Sequence, residues 1–127
     1  MIVREALVAD PRVLAGSATL QESADLLTHP HVESVLVTDE GRLLGCITTG
    51  TVVRAVAAGA DPRTTRAADV CDRDVVTVGP DVPLDEALHL MVERDIERLP
   101  VTEDGRLLGI LPREPLVRRL AEDETPS

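Results

Sequence analysis

The sequence predicts an α+β fold: two strand–helix–strand–strand–helix units, related by a pseudo-twofold and forming one compact tandem module. Three observations predict it. Shifting the 127-residue chain by 64 places Glu33–Gly59 over Glu97–Asp123 without a gap, with 11 of 27 positions identical and the block Gly-Arg-Leu-Leu-Gly intact at 41–45 and 105–109. Within each copy the apolar spacing changes from a β-branched run to a helical period and then to paired strands. A unit of roughly 60 residues is too small to bury its own sheet and helices, and two copies related by a pseudo-twofold can cover each other's sheets.

The elements follow in order. The first unit spans 1–60, the linker 61–66, the second unit 67–123, and an acidic tail 124–127. In the first copy Thr19-Leu-Gln-Glu22 is a capping box opening a helix at Leu20. Val35–Thr38, the turn Asp39-Glu40-Gly41 and Leu43–Thr48 form a hairpin. A closing helix carries Val52, Val53, Val56 and Ala57, with Gly59 as its C-cap. The second copy opens on the β-branched run Val75–Val78, closed by Gly79-Pro80. Leu84, Ala87, Leu88, Met91 and Val92 fall on one helical face, with Pro83 at the start and Asp85-Glu86 in the first turn. Leu99–Thr102, Glu103-Asp104-Gly105 and Leu107–Leu111 repeat the hairpin, and Leu116, Val117, Leu120 and Ala121 mark the last helix.

Composition narrows function. The net charge of −10, with all 13 basic residues Arg, excludes nucleic acid and anionic membrane surfaces as partners. Phe, Tyr and Trp are absent, which removes modules that stack bases on aromatic platforms. No run of 18 apolar residues provides a membrane span, and Met1–Asp10 has no apolar signal core. Cys46 and Cys71 fit a reducing cytoplasm. The Arg-only, Ala/Val/Asp-rich usage is that of a high-GC bacterial genome. His29, His31 and His89 lack a third ligand, so no metal is expected. No Ser/His/Asp or Cys/His constellation marks a catalyst, and the chain reads as a non-enzyme.

The repeated unit resembles a cystathionine-β-synthase-type (CBS) domain, and the duplication resembles the tandem pair in which such domains occur. The matching stretches are Asp74–Leu88, Arg98-Leu-Pro-Val and Asp104–Leu111, within a likeness running from about Ile2 to Ala121. The resemblance implies a disc-like homodimer and a regulatory module acting on a separate protein. It also implies an adenosine-containing ligand (AMP, ADP, ATP or S-adenosylmethionine) in the cleft between the two units. The base would lie against small aliphatic side chains. The ribose would be held by an Asp in a Gly-h-h-Thr-x-x-Asp pattern, h being hydrophobic, and the phosphate by a Thr and a helix N-terminus.

Both copies depart from that pattern. The first reads Gly45-Cys-Ile-Thr48-Thr-Gly-Thr51, keeping the Thr but placing Thr51 at the Asp position. The second reads Gly109-Ile-Leu-Pro112-Arg-Glu-Pro115, with proline at both. The ligand-binding candidates are Thr48, Thr49, Gly50, Thr51, Cys46, Val35, Leu36 and Val37 in the first copy. Those in the second are Thr77, Arg98, Leu99, Pro100, Val101 and Arg113. Losing a hydrogen bond to a sugar hydroxyl removes about 1–3 kcal/mol, which makes the first copy the stronger site. Local readings stand beside these. Thr48–Thr51 also reads as a helix N-cap, Arg98 and Arg113 as ion-pairing residues in acidic surroundings, Pro115 as a helix-entry residue near N1, Pro100 as an edge or cleft-facing position, and Cys46 as a small buried hydrophobe. A degenerate pair kept as a dimerisation or protein-interaction scaffold is the alternative function.

Overall fold

The computed structural model describes residues 1–10 and 12–124; the end of the expected acidic tail, 125–127, lies outside them. The described chain forms two compact α+β units, which do not follow the repeat boundaries: one joins 1–10 with 76–124, the other is 12–75. Each copy's leading segment therefore packs with the hairpin of the other copy.

In the unit 12–75, β1 (Val13–Ala15) runs parallel to β2 (Ser34–Asp39), which is antiparallel to β3 (Arg42–Thr48). Between them α1 (Leu20–Leu27) is opened by Thr19, whose Oγ1 accepts the Glu22 amide at 3.2 Å. The β2–β3 turn has Glu40 at φ 50° and Gly41 at φ 82°, the two left-handed residues of a tight hairpin. Helix α2 (Thr49–Ala57) follows β3 directly. Gly59, at φ 99°, lies one position beyond the cap residue Ala58. The Gly59 amide donates to Val56 and the Ala60 amide to Ala55, closing a Schellman motif. The linker then folds onto α1, with Leu20 and Gln21 donating to the carbonyls of Thr65 and Pro62. A short helix, α3 (Ala67–Val70), ends the unit beside β3, where Cys46 and Asp72 exchange two backbone hydrogen bonds.

The other unit repeats these parts. A single 3₁₀ turn, Val3–Glu5, stands where α3 stands in its counterpart. Helix α4 (Leu84–Glu93) precedes the hairpin β4 (Arg98–Glu103) and β5 (Arg106–Pro112), and α5 (Arg113–Glu124) closes it. Val8 exchanges backbone hydrogen bonds with Ile110 as Asp72 does with Cys46.

One expected strand is reduced. Val75–Val78 forms only an isolated bridge, Val78 to Val101. In the first copy the ladder is extended by the Leu36 amide donating to Arg12 and the Gly16 amide donating to Thr38. The repeat puts Pro100 and Pro80 at those two positions. Neither has an N–H, so both ends of the ladder are lost.

Each unit has its own aliphatic core. Leu20, Val37, Ile47, Ala67 and Cys71 centre one. Val3, Leu84, Ala87, Leu88, Met91, Leu99, Val101, Leu111 and Leu116 form most of the other. Each buried Leu, Val, Ile or Met contributes about 1.5–3 kcal/mol, which substitutes for the absent rings. The expected core faces need correction at the closing helices. Val53, Val56 and Ala57 are exposed and α2 packs through Val52 and Ala55 instead. Val117 of α5 is likewise exposed, as is Val92 of α4, and the Leu120 side chain lies outside the described residues.

Candidate functional site

The junction of β3 and α2 gathers most of the first-copy candidates. Thr48 is the N-cap of α2 and Thr51 its third residue, and each caps the other. Thr48 Oγ1 accepts the Thr51 amide at 3.3 Å, Thr51 Oγ1 accepts the Thr48 amide at 3.1 Å, and the two hydroxyls lie 3.2 Å apart. This is a capping box built from two threonines. Thr51 is buried, Thr48 and Gly50 half-buried, and Thr49 exposed. Val35, Leu36 and Val37 are buried in β2, with Val37 in the core cluster. Cys46 is half-buried rather than buried, although β3 is paired there with Leu36 of β2 and bridged to Asp72. Burial raises the Cys46 thiol pKa above 9.0, and the Asp72 and Cys71 charges push it further the same way.

A cleft of about 440 Å³ opens beside this junction, lined by Thr51, Arg54, Ala55, Val70 and Asp72. Only Thr51 of these was among the sequence candidates, and two of the other four, Arg54 and Asp72, are charged. Arg54 lies one turn into α2, and a Cβ on Gly50 would be 3.1 Å from its Nη1, so its guanidinium sits over the helix N-terminus. Asp72 reaches the cleft through its backbone pairing with Cys46, and its Oδ1 accepts the Asp74 amide at 3.0 Å. The signal for Arg54 was its three-residue spacing from Thr51. Asp72, 21 residues on from Thr51, is brought in only by tertiary structure.

The second-copy candidates have a different setting. Pro112 ends β5 and Pro115 is the third residue of α5, in its first turn and two positions past N1. Without a hydroxyl on one or an N–H on the other, neither half of the capping box can form. At the Gly50 position stands Glu114, whose carboxylate takes the Arg118 guanidinium at 3.4 Å, Arg118 being the counterpart of Arg54. Val8 stands where Asp72 does. Arg113 is held by Asp95 at 3.3 Å and by Glu97. Arg98 is held by Asp10 at 3.3 Å, with its Nε buried and unpaired among the described residues. Leu99, Pro100 and Val101 are buried in β4, and Thr77 is exposed. Both arginines thus face carboxylates of their own unit.

Among the described residues no helix is long and apolar enough to cross a membrane, and no cluster of three His, Cys, Asp or Glu is arranged to hold a metal ion.

Comparison with known proteins gives consistent matches. A family model for the CBS domain matches residues 3–58 and 67–122. The CBS domain-containing protein YhcV of Bacillus subtilis is 28% identical over 110 residues, which are 86% of this chain and 78% of that protein. Two further curated relatives are matched over only 59% of their own length. The crystal structure of a putative acetoin utilization protein (AcuB) from Vibrio cholerae shares the fold, with a TM-score of 0.80, 24% identity and coverage of 99% and 98% of the two chains. The CBS domain pair of protein MJ0100, solved in complex with 5′-methylthioadenosine and S-adenosyl-L-methionine, has a TM-score of 0.69 and 25% identity, covering 98% of both chains.

Proposed function

The chain belongs to the CBS domain family, and from that premise we propose that it is a non-catalytic regulatory module binding an adenosine-containing ligand in the unit 12–75, at the junction of β3 and α2. The observation that carries this reading is the pairing of Arg54 and Asp72 in one cleft at the start of α2. The volume suits a small organic ligand. The ligand's sugar hydroxyls donate to the Asp72 carboxylate, which replaces the carboxylate missing at Thr51. The Thr48–Thr51 box consumes the Thr51 amide and leaves those of Thr49 and Gly50, with Arg54 above them, for a phosphate or carboxylate. AMP, ADP, ATP and S-adenosylmethionine all present such groups; the MJ0100 pair was solved with S-adenosyl-L-methionine and with 5′-methylthioadenosine, which keeps the sugar hydroxyls but has no acidic group. Ligand binding shifts a homodimer or partner equilibrium by its differential affinity for two states. The homodimer is assigned to the exposed Val53 and Val56 of α2.

The test is thermal denaturation with 5′-methylthioadenosine, S-adenosylmethionine, AMP, ADP and ATP, on the native chain and on Arg54→Ala and Asp72→Asn. Stabilisation by at least one compound, weakened in both variants, is expected, because a ligand of the folded state must raise its stability. No shift with any of them at millimolar concentration overturns the reading. It would favour the second, an interaction scaffold without ligand, for which the paired prolines 112 and 115 and the absence of both pattern carboxylates speak.

A further inference from the structure

The two repeats treat one surface position in opposite ways. In the unit containing residues 76–124, Arg4 of the 3₁₀ turn reaches the hairpin tip. Its Nη2 lies 3.3 Å from Glu103 Oε2 and 3.6 Å from Asp81 Oδ1. The repeat equates Arg4, Glu103 and Asp81 with Ala68, Asp39 and Ser17. The backbones dock alike, since the Arg4 amide donates to Pro80 and the Ala68 amide to Gly16, the corresponding residue. In the unit 12–75, however, the side chain at this position ends at a methyl group. A cleft of about 430 Å³ lies there, lined by Ser17, Asp39, Glu40, Ala68, Arg66 and Arg73 among others.

The wall chemistry is complementary at its two sides. At the hairpin tip are Asp39, the counterpart of the Glu103 carboxylate that holds a guanidinium in the other repeat, and its neighbour Glu40. On the α3 side, Arg66 donates to Asp69 at 3.2 and 3.3 Å, and Arg73 Nη2 donates to the Ala68 carbonyl at 3.1 Å. A guanidinium carries five N–H donors, so both arginines keep donors for a further acceptor.

We propose that this cleft binds a free α-amino acid with a guanidinium side chain. The side chain takes the place of Arg4, between Asp39, Glu40 and the Ser17 hydroxyl, and the α-carboxylate meets Arg66 and Arg73. The site is separate from the one beside α2 and stands without it.

Titration calorimetry with L-arginine tests the proposal, with L-citrulline as the neutral isostere and agmatine as the guanidinium lacking a carboxylate. L-arginine is expected to bind at millimolar concentration, and each comparator at least about fivefold more weakly, as loss of one charge contact implies. Ala68→Arg, which copies the other repeat, is expected to keep the native melting temperature and abolish binding. Asp39→Asn, at an exposed position with no packing role, is expected to weaken binding about fivefold. Absence of L-arginine binding, binding that survives Ala68→Arg, or equal binding of L-citrulline or agmatine overturns the proposal.

Discussion

Gly45 lies against the carbonyl oxygen of Asp72: a Cβ on it would stand 2.3 Å from that oxygen and 3.0 Å from Cys71 Sγ. The glycine closing the first Gly-Arg-Leu-Leu-Gly block is thus required by a crossing backbone. Its repeat counterpart Gly109 is in the same position, 2.5 Å from the Val8 carbonyl oxygen. Gly45→Ala must displace Asp72 and break its two backbone hydrogen bonds with Cys46. A destabilisation of about 2–4 kcal/mol is expected. Gly59→Ala meets open space and only the strain of φ 99°, so about 1 kcal/mol is expected. Urea unfolding of the two variants checks the ranking.

The two-threonine cap separates stability from ligand chemistry. Thr48→Ala removes the acceptor for the Thr51 amide and is expected to lower stability by about 1 kcal/mol. Thr51→Asp keeps an acceptor for the Thr48 amide and adds an acid in the first turn of α2, where the helix dipole favours it by about 0.3–1 kcal/mol. It also adds a carboxylate to the cleft with Arg54 and Asp72. Stability is expected to hold or rise, and adenosine-ligand affinity to rise about tenfold. Denaturant unfolding and calorimetry read the two effects independently.

Particular residues explain what the sequence made legible. The hairpins were readable because Glu40-Gly41 and Asp104-Gly105 carry the local chemistry of a turn with two left-handed residues. The helices were readable from apolar spacing, but that spacing does not say what covers a face. Val53, Val56 and Val92 satisfy the period and are nevertheless exposed. The Val75–Val78 strand was misread because the propensity of β-branched residues says nothing about whether the partner strand can donate, and Pro100 cannot. Which copy's hairpin receives Val8 or Asp72 is invisible to self-comparison, since the repeat register is the same either way. For the same reason Asp72 could not be read as a cleft residue, whereas Thr48–Thr51 formed a local signal.

The ion pairs of the unit containing residues 76–124 should differ in weight. Asp10 is almost wholly buried where it meets Arg98, whereas Arg4 and Glu103 are about half exposed and Asp81 more so. Arg98→Met leaves a buried carboxylate without its guanidinium and is expected to lower stability by about 1–3 kcal/mol. Arg4→Met is expected to change it by less than about 0.5 kcal/mol. Chemical denaturation at one ionic strength compares them.

Alkaline pH should weaken the unit 12–75 through its thiols. Burial is the main cause raising the pKa values of both Cys46 and Cys71 above 9.0, with Asp72 adding to each and Arg73 partly opposing at Cys71. Well below pH 9 both thiols are protonated whether the chain is folded or not, and they give no pH dependence. Above it the unfolded chain releases protons that the folded chain retains, so stability falls as pH rises through the folded values. Cys46→Ala is expected to flatten the loss of stability as pH rises above about 9. An unchanged slope in denaturant titrations across that range would refute the assignment.

Salt should favour the proposed homodimer. Val53 and Val56 lie three residues apart on α2, are 60% and 47% exposed, and offer an apolar stripe in a chain of net charge −10. Burial of that stripe favours association, while the like charge of two copies opposes it within a screening length of about 10 Å at 0.1 M salt. Sedimentation velocity is expected to show a dimer that tightens as salt rises from low to physiological concentration. Val53→Glu places a further carboxylate in the stripe and is expected to shift the chain to monomer without lowering its melting point as a monomer, since Val53 has no core role. A native chain that stays monomeric at every salt concentration, or a Val53→Glu chain that dimerises like the native one, would remove α2 as the dimer face.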